Sequence, residues 1–215
     1  VTPSGLHDAE HYSTARDMAL LTAAALQNET FREICGQASA KVCFGNPPYE
    51  RWLTNSNKLL TMDETVIGVK TGFTDEAGRC LVSASVRNGI TLICVTLNDR
   101  NDWQDHEVLY DYGFGQLSPQ EVTFPADWTL PVTGGTTGTA AVAPAETLTV
   151  GVKDGNMPAW SYQLNTPPFL YAPLTAGQEA GTWKLLLDGR VAAQGRLLVQ
   201  SAVTYQEKTT EPEPQ

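Results

Sequence analysis

The sequence predicts a mixed α/β unit built on an antiparallel sheet, followed by a small all-β, sandwich-like domain. Three observations predict it. A helix-period apolar stripe lies within residues 13–28, and the run "GRCLVSASVRNGITLICVTL" folds back on itself at Asn88-Gly89, a strong two-residue hairpin signal. From about residue 119 the mixed pattern gives way to short alternating or apolar runs separated by Gly and Pro, the signature of a small sandwich or barrel.

Taken in order, "STARDMALLTAAALQN" reads as a helix, with Ser13 or Thr14 as its cap and Asp17 three residues after Thr14. Ala15, Met18, Ala19, Ala25 and Leu26 form its apolar stripe, with Thr22 filling one place in it. "ETFREIC" is a short helix ended by Gly36, and residues 42–60, with Pro47-Pro48 and "TNSNKLL", read as irregular. A strand over 66–72 and the hairpin 79–97 follow. Counting back from its turn pairs Arg87 with Ile90, Ser83 with Cys94 and Cys80 with Leu97. Period-2 alternation then puts Cys80 and Cys94 on opposite faces, which keeps a disulfide from joining them. The four cysteines (35, 43, 80 and 94) lack the paired spacing of a zinc or redox site and read as small buried hydrophobes. "DWQDHEVLYDYGFGQL" is a helix with Trp103, Val108, Leu109 and Tyr112 on its apolar side, stopped at Gly113 or Gly115; His106 beside its acids reads as solvated. "SPQEVTFP" reads as a linker. Beyond it come "TLPVTGG", "AAVAP", "TLTVGV", "SYQLN", "FLYAPL" and "TWKLLLDGRVAAQGRLLV", the last turning on Asp188-Gly189. The predicted division is residues 1–117, residues 120–206 and a disordered acidic tail over 207–215.

The totals exclude whole classes of function. A formal charge of −10 and a pI near 4.7 argue against nucleic acid as a partner, because neutralising phosphates takes clustered Lys and Arg. No apolar run approaches the ~18 residues of a membrane span. The N-terminus has no signal-peptide pattern and begins on the turn Pro3-Ser4-Gly5, as expected of an internal cut or a mature end.

The chemistry lies in "VIGVKTGFTDEAGRC". A site that binds a peptide ending in a carboxylate needs a cation, a hydroxyl, and a strand edge able to pair with an extended substrate. A Gly on that edge lets the substrate approach without meeting a Cβ. Lys70, Thr71 and Gly72 supply these in a row. Together with "TPSGLHDAEHYSTARDMALL", "TNSNKLL", "GVKTGFTDEAGRCLVSASVRNG" and "DYGF", in that order, the sequence closely resembles the low-molecular-weight penicillin-binding proteins that are serine-type D-alanyl-D-alanine carboxypeptidases. The resemblance covers nearly the whole chain. "LPVTGG" and "APLTAGQEAGTWKLLLDG" look like the β domain that follows that family's β-lactamase/transpeptidase-like catalytic domain. Of the superfamily's three motifs only Lys-Thr-Gly is present, since none of the nine Ser residues has Lys three positions on.

The resemblance implies roles. Lys70 supplies positive potential, Thr71 bonds the substrate's terminal carboxylate, Gly72 gives close approach, and the Phe73 N–H is one of two oxyanion donors. Phe73 stands where some members carry His, which a backbone donor tolerates. Arg100, in "TLNDRND", matches a position whose Arg helps to hold the carboxylate. The nucleophile and the Ser-x-Asn motif are expected N-terminal to the Pro3–Leu6 turn, so the chain is expected to be a fragment inactive by itself. Peptidoglycan stem peptides and β-lactams are the implied ligands, with no metal or cofactor. The implied location is extracytoplasmic, in the cell envelope or secreted, with any peripheral membrane association through a segment not in this sequence. Two other readings compete. "HDAEH" (7–11) fits the H-x-x-E-H metalloprotease pattern, but it lies between a turn and a helix cap, where its His residues serve as locally bonded loop residues. A non-catalytic envelope binding or scaffold protein derived from the same family is the other.

Overall fold

The computed structural model describes residues 4–207; the tail predicted over 207–215 lies, but for Glu207, outside them. The chain divides into two compact units, Val1–Pro119 and Gln120–Gln215.

The first unit opens with α1 (Ala15–Ala25), capped by Thr14, whose Oγ1 accepts from the Asp17 N–H at 3.1 Å and donates to the Asp17 carboxylate at 2.8 Å. This satisfies a backbone donor that the first helical turn leaves orphaned. Helix α2 (Glu29–Gly36) is capped in the same way by Asn28. The next stretch corrects the expectation of irregular chain over 42–60. β1 (Ser39–Phe44) and β2 (Tyr49–Thr54) form an antiparallel hairpin, and α3 (Leu59–Met62) follows. Every residue of β2 is exposed, so no burial alternates along it and period-2 reading has nothing to detect.

β3 (Val66–Thr74), β4 (Gly78–Arg87) and β5 (Ile90–Thr96) make an antiparallel sheet in that order. The Asn88-Gly89 turn holds as predicted, with φ of 51° and 78°, the paired left-handed residues of a type I′ turn. Arg87 pairs with Ile90 and Ser83 with Cys94, while the ladder ends at Leu81–Thr96, one step before the expected Cys80–Leu97 pair. All four cysteines are free; Cys94 is buried, Cys35 and Cys80 are half-buried, and Cys43 is exposed, against the expectation of burial. On one face of the sheet Leu26, Val82 and Ala84 pack with Met18 and Ile93. On the other, Leu59, Val66, Leu81 and Cys94 pack against Tyr110.

Tyr110 belongs to α4 (Asp102–Gly115). The helix exists where predicted, but its inward face is different. Val108, Leu109 and Tyr112 are exposed, and Asp102, His106 and Tyr110 are buried. Each inward polar group is bonded within the unit, which allows a stripe spaced i, i+4, i+8 to displace the apolar one.

β6 (Leu117–Val122) replaces the expected linker and pairs with β9 (Leu148–Lys153). Between them lie β7 (Thr129–Thr133) and β8 (Thr139–Pro144). β10 (Trp160–Asn165), β11 (Leu170–Tyr171), β12 (Glu179–Leu187) and β13 (Arg190–Val199) complete a six-stranded sheet ordered β10-β12-β13-β8-β7-β11. The β12–β13 hairpin turns on Asp188-Gly189 with φ of 47° and 74°. Val122 packs with Trp183, Leu185 and Leu197 between the two sheets, and Phe124 meets Trp183 edge-on at 4.8 Å. The architecture is a mixed α/β unit with antiparallel sheets followed by a β unit, the predicted fold class.

Candidate active site

Among the described residues β3 has a hydrogen-bonded neighbour, β4, on one side only. On its other side α2 covers the start of the strand: Cys35 Sγ lies 3.7 Å from the Ile67 carbonyl, and a Cβ added at Gly36 would lie 3.1 Å from that oxygen. Past that point no described strand pairs with the edge, and Lys70, Gly72 and Phe73 are exposed, Phe73 at 68%. Lys70 Nζ donates to the Thr71 carbonyl.

Register assigns faces. Lys70 lies opposite Val82 and Gly72 opposite Cys80, while Thr71 lies opposite Leu81 and Phe73 opposite Arg79. Paired residues share a face, so Lys70 projects with Val82 on the α1 side. Half-buried Thr71 projects with Leu81 on the α4 side. The cation and the hydroxyl thus flank the open edge from opposite faces. Gly72 has ordinary φ, and an added Cβ would meet only the Cys80 Cβ, at 3.8 Å. The fold itself does not require a glycine there.

Arg100 stands in the turn from β5 into α4, exposed and without a hydrogen bond or ion pair among the described residues. The Asp99 N–H donates to the Arg79 carbonyl at 2.9 Å. Since Arg79 lies opposite Phe73, the turn and the edge motif share one end of the sheet, with β4 between them.

Two arrangements here were not foreseen. Arg79 Nη2 reaches both Asp102 oxygens, at 2.6 and 2.8 Å, and its guanidinium sits over Trp103, 5.2 Å from the ring centre. No local pattern joins two residues so far apart in sequence. The other is a buried ladder. Ser83 Oγ lies 2.6 Å from His106 Nδ1 and also bonds the Tyr110 hydroxyl, while His106 Nε2 is 3.1 Å from Thr96 Oγ1. His106 is therefore not solvated, as its acidic neighbours suggested, but fully buried. Desolvation pushes its pKa down to about 4, overcoming the opposing pull of Asp102, Asp99 and Asp105. Desolvation likewise raises the Tyr110 hydroxyl, and the Cys94 thiol to about 11. Ser83 and His106 are within the reach of a nucleophile–base pair, yet both are 0% exposed. No substrate reaches them, and they serve the core. The spacing 102, 106, 110 was the available signal: three groups able to hydrogen-bond on one helical stripe.

His7 and His11 lie in coil before α1. His7 Nδ1 is 3.6 Å from Glu76, a partner distant in sequence rather than the local one expected. Among the described residues no three His, Cys, Asp or Glu converge as metal ligands.

Comparison with known proteins agrees with the order of these elements. Residues 1–101 match the family model described as D-alanyl-D-alanine carboxypeptidase, and residues 124–205 match the C-terminal domain of penicillin-binding protein 5. The chain is 28% identical over 201 residues to D-alanyl-D-alanine carboxypeptidase DacF of Bacillus subtilis (strain 168), covering 89% of this chain and 51% of that protein. It is 33% identical over 216 residues to D-alanyl-D-alanine carboxypeptidase DacC of Escherichia coli (strain K12), covering 94% and 51%. In fold it is similar to the peptidoglycan synthesis regulatory factor (PBP3) of Streptococcus pneumoniae, with TM-score 0.60, 20% identity, and coverage of 89% of this chain and 57% of that one. Penicillin binding protein 5 of Haemophilus influenzae matches with TM-score 0.52, 24% identity, and coverage of 95% and 60%. By both sequence matches the chain is related to the D-alanyl-D-alanine carboxypeptidases of the penicillin-binding protein family. It spans about half the length of these curated relatives.

Proposed function

We propose that the protein carrying this chain is a serine-type D-alanyl-D-alanine carboxypeptidase, acting on peptidoglycan stem peptides outside the cytoplasm through an acyl-enzyme. The observation that carries the reading is the open β3 edge, where Lys70, Thr71 and a glycine that the fold does not require stand in sequence. The domain division that goes with it is residues 1–117 as the C-terminal part of the catalytic domain and residues 120–206 as the β domain.

The substrate's extended terminus lies along β3, where Gly72 admits its backbone. Thr71 and Arg100 hold the terminal carboxylate on the α4 side of the edge. Lys70, on the α1 side, supplies positive potential to the reacting centre. The scissile carbonyl becomes a tetrahedral oxyanion, and the Phe73 N–H is one of its donors. β-Lactams occupy the same edge by mimicry. No Ser-x-x-Lys occurs in these 215 residues, and the chain spans about half of its relatives. The nucleophile is accordingly assigned to sequence outside this chain, as is any segment that associates with a membrane; no described helix is long and apolar enough to cross one.

The test is acylation by a fluorescent penicillin, read by intact mass. The 215-residue chain alone gains no adduct, whereas the full-length protein does. Lys70→Ala in the full-length protein slows acylation by on the order of a hundredfold, the usual cost of one well-placed electrostatic donor. Arg100→Ala costs less, because Thr71 shares its task. A stable adduct on the isolated chain, or wild-type acylation by Lys70→Ala, would sink the reading.

A further inference from the structure

Leaving β5, the chain must turn into α4 over residues 97–101, and Arg100 rides on that turn with no polar partner among the described residues. A long cation on an unsupported turn is costly to order around a small anion. Here the turn and the first residue of α4 meet β4 at three points. Gly78 (φ +66°) receives Asn98 so closely that an added Cβ would lie 2.1 Å from its Oδ1. The Asp99 N–H donates to the Arg79 carbonyl at 2.9 Å. Arg79 Nη2 then spans to both oxygens of Asp102 at the start of α4, closing the far side of the turn. The Asp102 carboxylate is 3% exposed, and its Oδ1 also accepts the Trp103 N–H. Asp102 neutralises Arg79 at contact distance, so Arg79 is ill suited to capture a second anion and Arg100 is left as the cation of this corner. Arg79 also lies opposite Phe73. One residue therefore fixes the turn and the edge motif to each other.

We infer that the Arg79–Asp102 pair is a positioning device: it sets Arg100 relative to Thr71–Phe73 and thereby determines selectivity for a substrate ending in a free carboxylate. The inference rests on the carboxypeptidase reading of that edge. A pair that only held α4 in place would affect all substrates alike. A pair that positions Arg100 affects the carboxylate-bearing substrate alone.

The experiment uses the full-length protein with an N-acylated D-alanyl-D-alanine peptide and its C-terminal amide, measuring KM and kcat for each and melting temperature alongside. Asp102→Asn is expected to raise KM for the acid by about tenfold, the effect of one misplaced charge-assisted contact. It should leave kcat within about twofold and KM for the amide unchanged. Arg79→Lys keeps the charge but loses the planar guanidinium that lies over Trp103 and reaches both Asp102 oxygens and falls between; it carries the test if Asp102→Asn does not fold. Undiminished preference for the acid in the folded variants overturns the inference and leaves the carboxypeptidase reading standing. An equal loss on acid and amide also overturns it. Wild-type protein that acts on neither peptide, or does not distinguish them, overturns both.

Discussion

His106 shows how much one buried side chain can dictate. Its imidazole spans the core between Ser83 and Thr96, and taking a proton there would place a charge away from water. Its pKa is therefore about 4 in the folded state, below the ~6.5 of an unfolded chain. Between these values the unfolded state binds a proton that the native state does not, so stability rises with pH across the window. The contribution is complete above about pH 6.5 and is lost as pH falls toward 4, to the extent of about 3 kcal/mol. Asp63, where desolvation raises the carboxyl but is outweighed by hydrogen bonds from Thr65 together with the hydrogen bond and charge of Arg87, so that it lies below its ordinary value, acts in the same sense but only below about pH 4. Denaturant unfolding at steps from pH 4 to pH 7 should show this slope in the wild type and its loss in His106→Gln. A wild-type curve flat over that range would contradict the buried, neutral imidazole. The sequence carried only part of this. Helix α4 was legible, but its apolar residues outnumbered the Asp102–His106–Tyr110 stripe, and hydrophobic periodicity gives no weight to polar groups that bond to one another. The partners Ser83 and Thr96 come from other strands, which no local pattern can supply.

At the scale of the element, β3 is a strand whose motif and whose stability make different demands. Gly72 has neither a positive φ nor a crowded Cβ position. Glycine within a strand costs stability relative to residues with side chains, and β-branched residues favour strands. Gly72→Val should therefore leave the melting temperature unchanged or raise it, while sharply reducing acylation of the full-length protein, because a branched side chain blocks pairing on the edge. Thermal unfolding and acylation measured on one preparation check this. Parallel loss of both would mean that the glycine serves the fold. The contrast between two hairpins explains what could be read in advance. Asn88-Gly89 sits between β4, buried on both faces, and the largely half-buried β5, where turn chemistry and register reinforce each other, and the predicted pairing held over Arg87–Ile90 and Ser83–Cys94. β1–β2 pairs just as regularly, but β2 is exposed throughout and β1 buries only Ala40 and Val42 by half, so little beyond the Gly45–Pro48 turn could mark it. The Lys70–Phe73 motif was legible because it is contiguous. Arg79 and Asp102 were not, because their relation exists only through the sheet.

The two units of the molecule differ in how far each satisfies its own apolar surface. In the β unit most bulky residues converge: Phe124, Trp128, Tyr162 and Trp183 stack beneath β6 and β9, and Leu130, Leu170, Leu174 and Val203 close the other end, while Tyr171, Val191 and Tyr205 stay more than half exposed. In the first unit the sheet is covered on both faces, yet Leu20, Leu21, Ile34 and Trp52 remain more than half exposed, on α1, α2 and β2. Side chains left in water contribute none of the ~25 cal/mol per Å² that burial gives, so these three elements are held mainly by their backbones and by one face each. Local opening draws on the regions with fewest buried contacts. Limited chymotrypsin digestion of the chain should therefore cut first near Leu20, Leu21, Phe31 and Trp52. A fragment holding the sheet of the β unit, trimmed at exposed Tyr205, should persist, because Trp183, Leu185 and Leu197 are reached only when its sheet opens. Mass spectrometry of timed samples identifies the order. Simultaneous loss of both units would contradict the difference in packing, and a first unit as resistant as the second would show that it is self-sufficient or that a partner or dimerisation covers its α1–α2–β2 surface in solution.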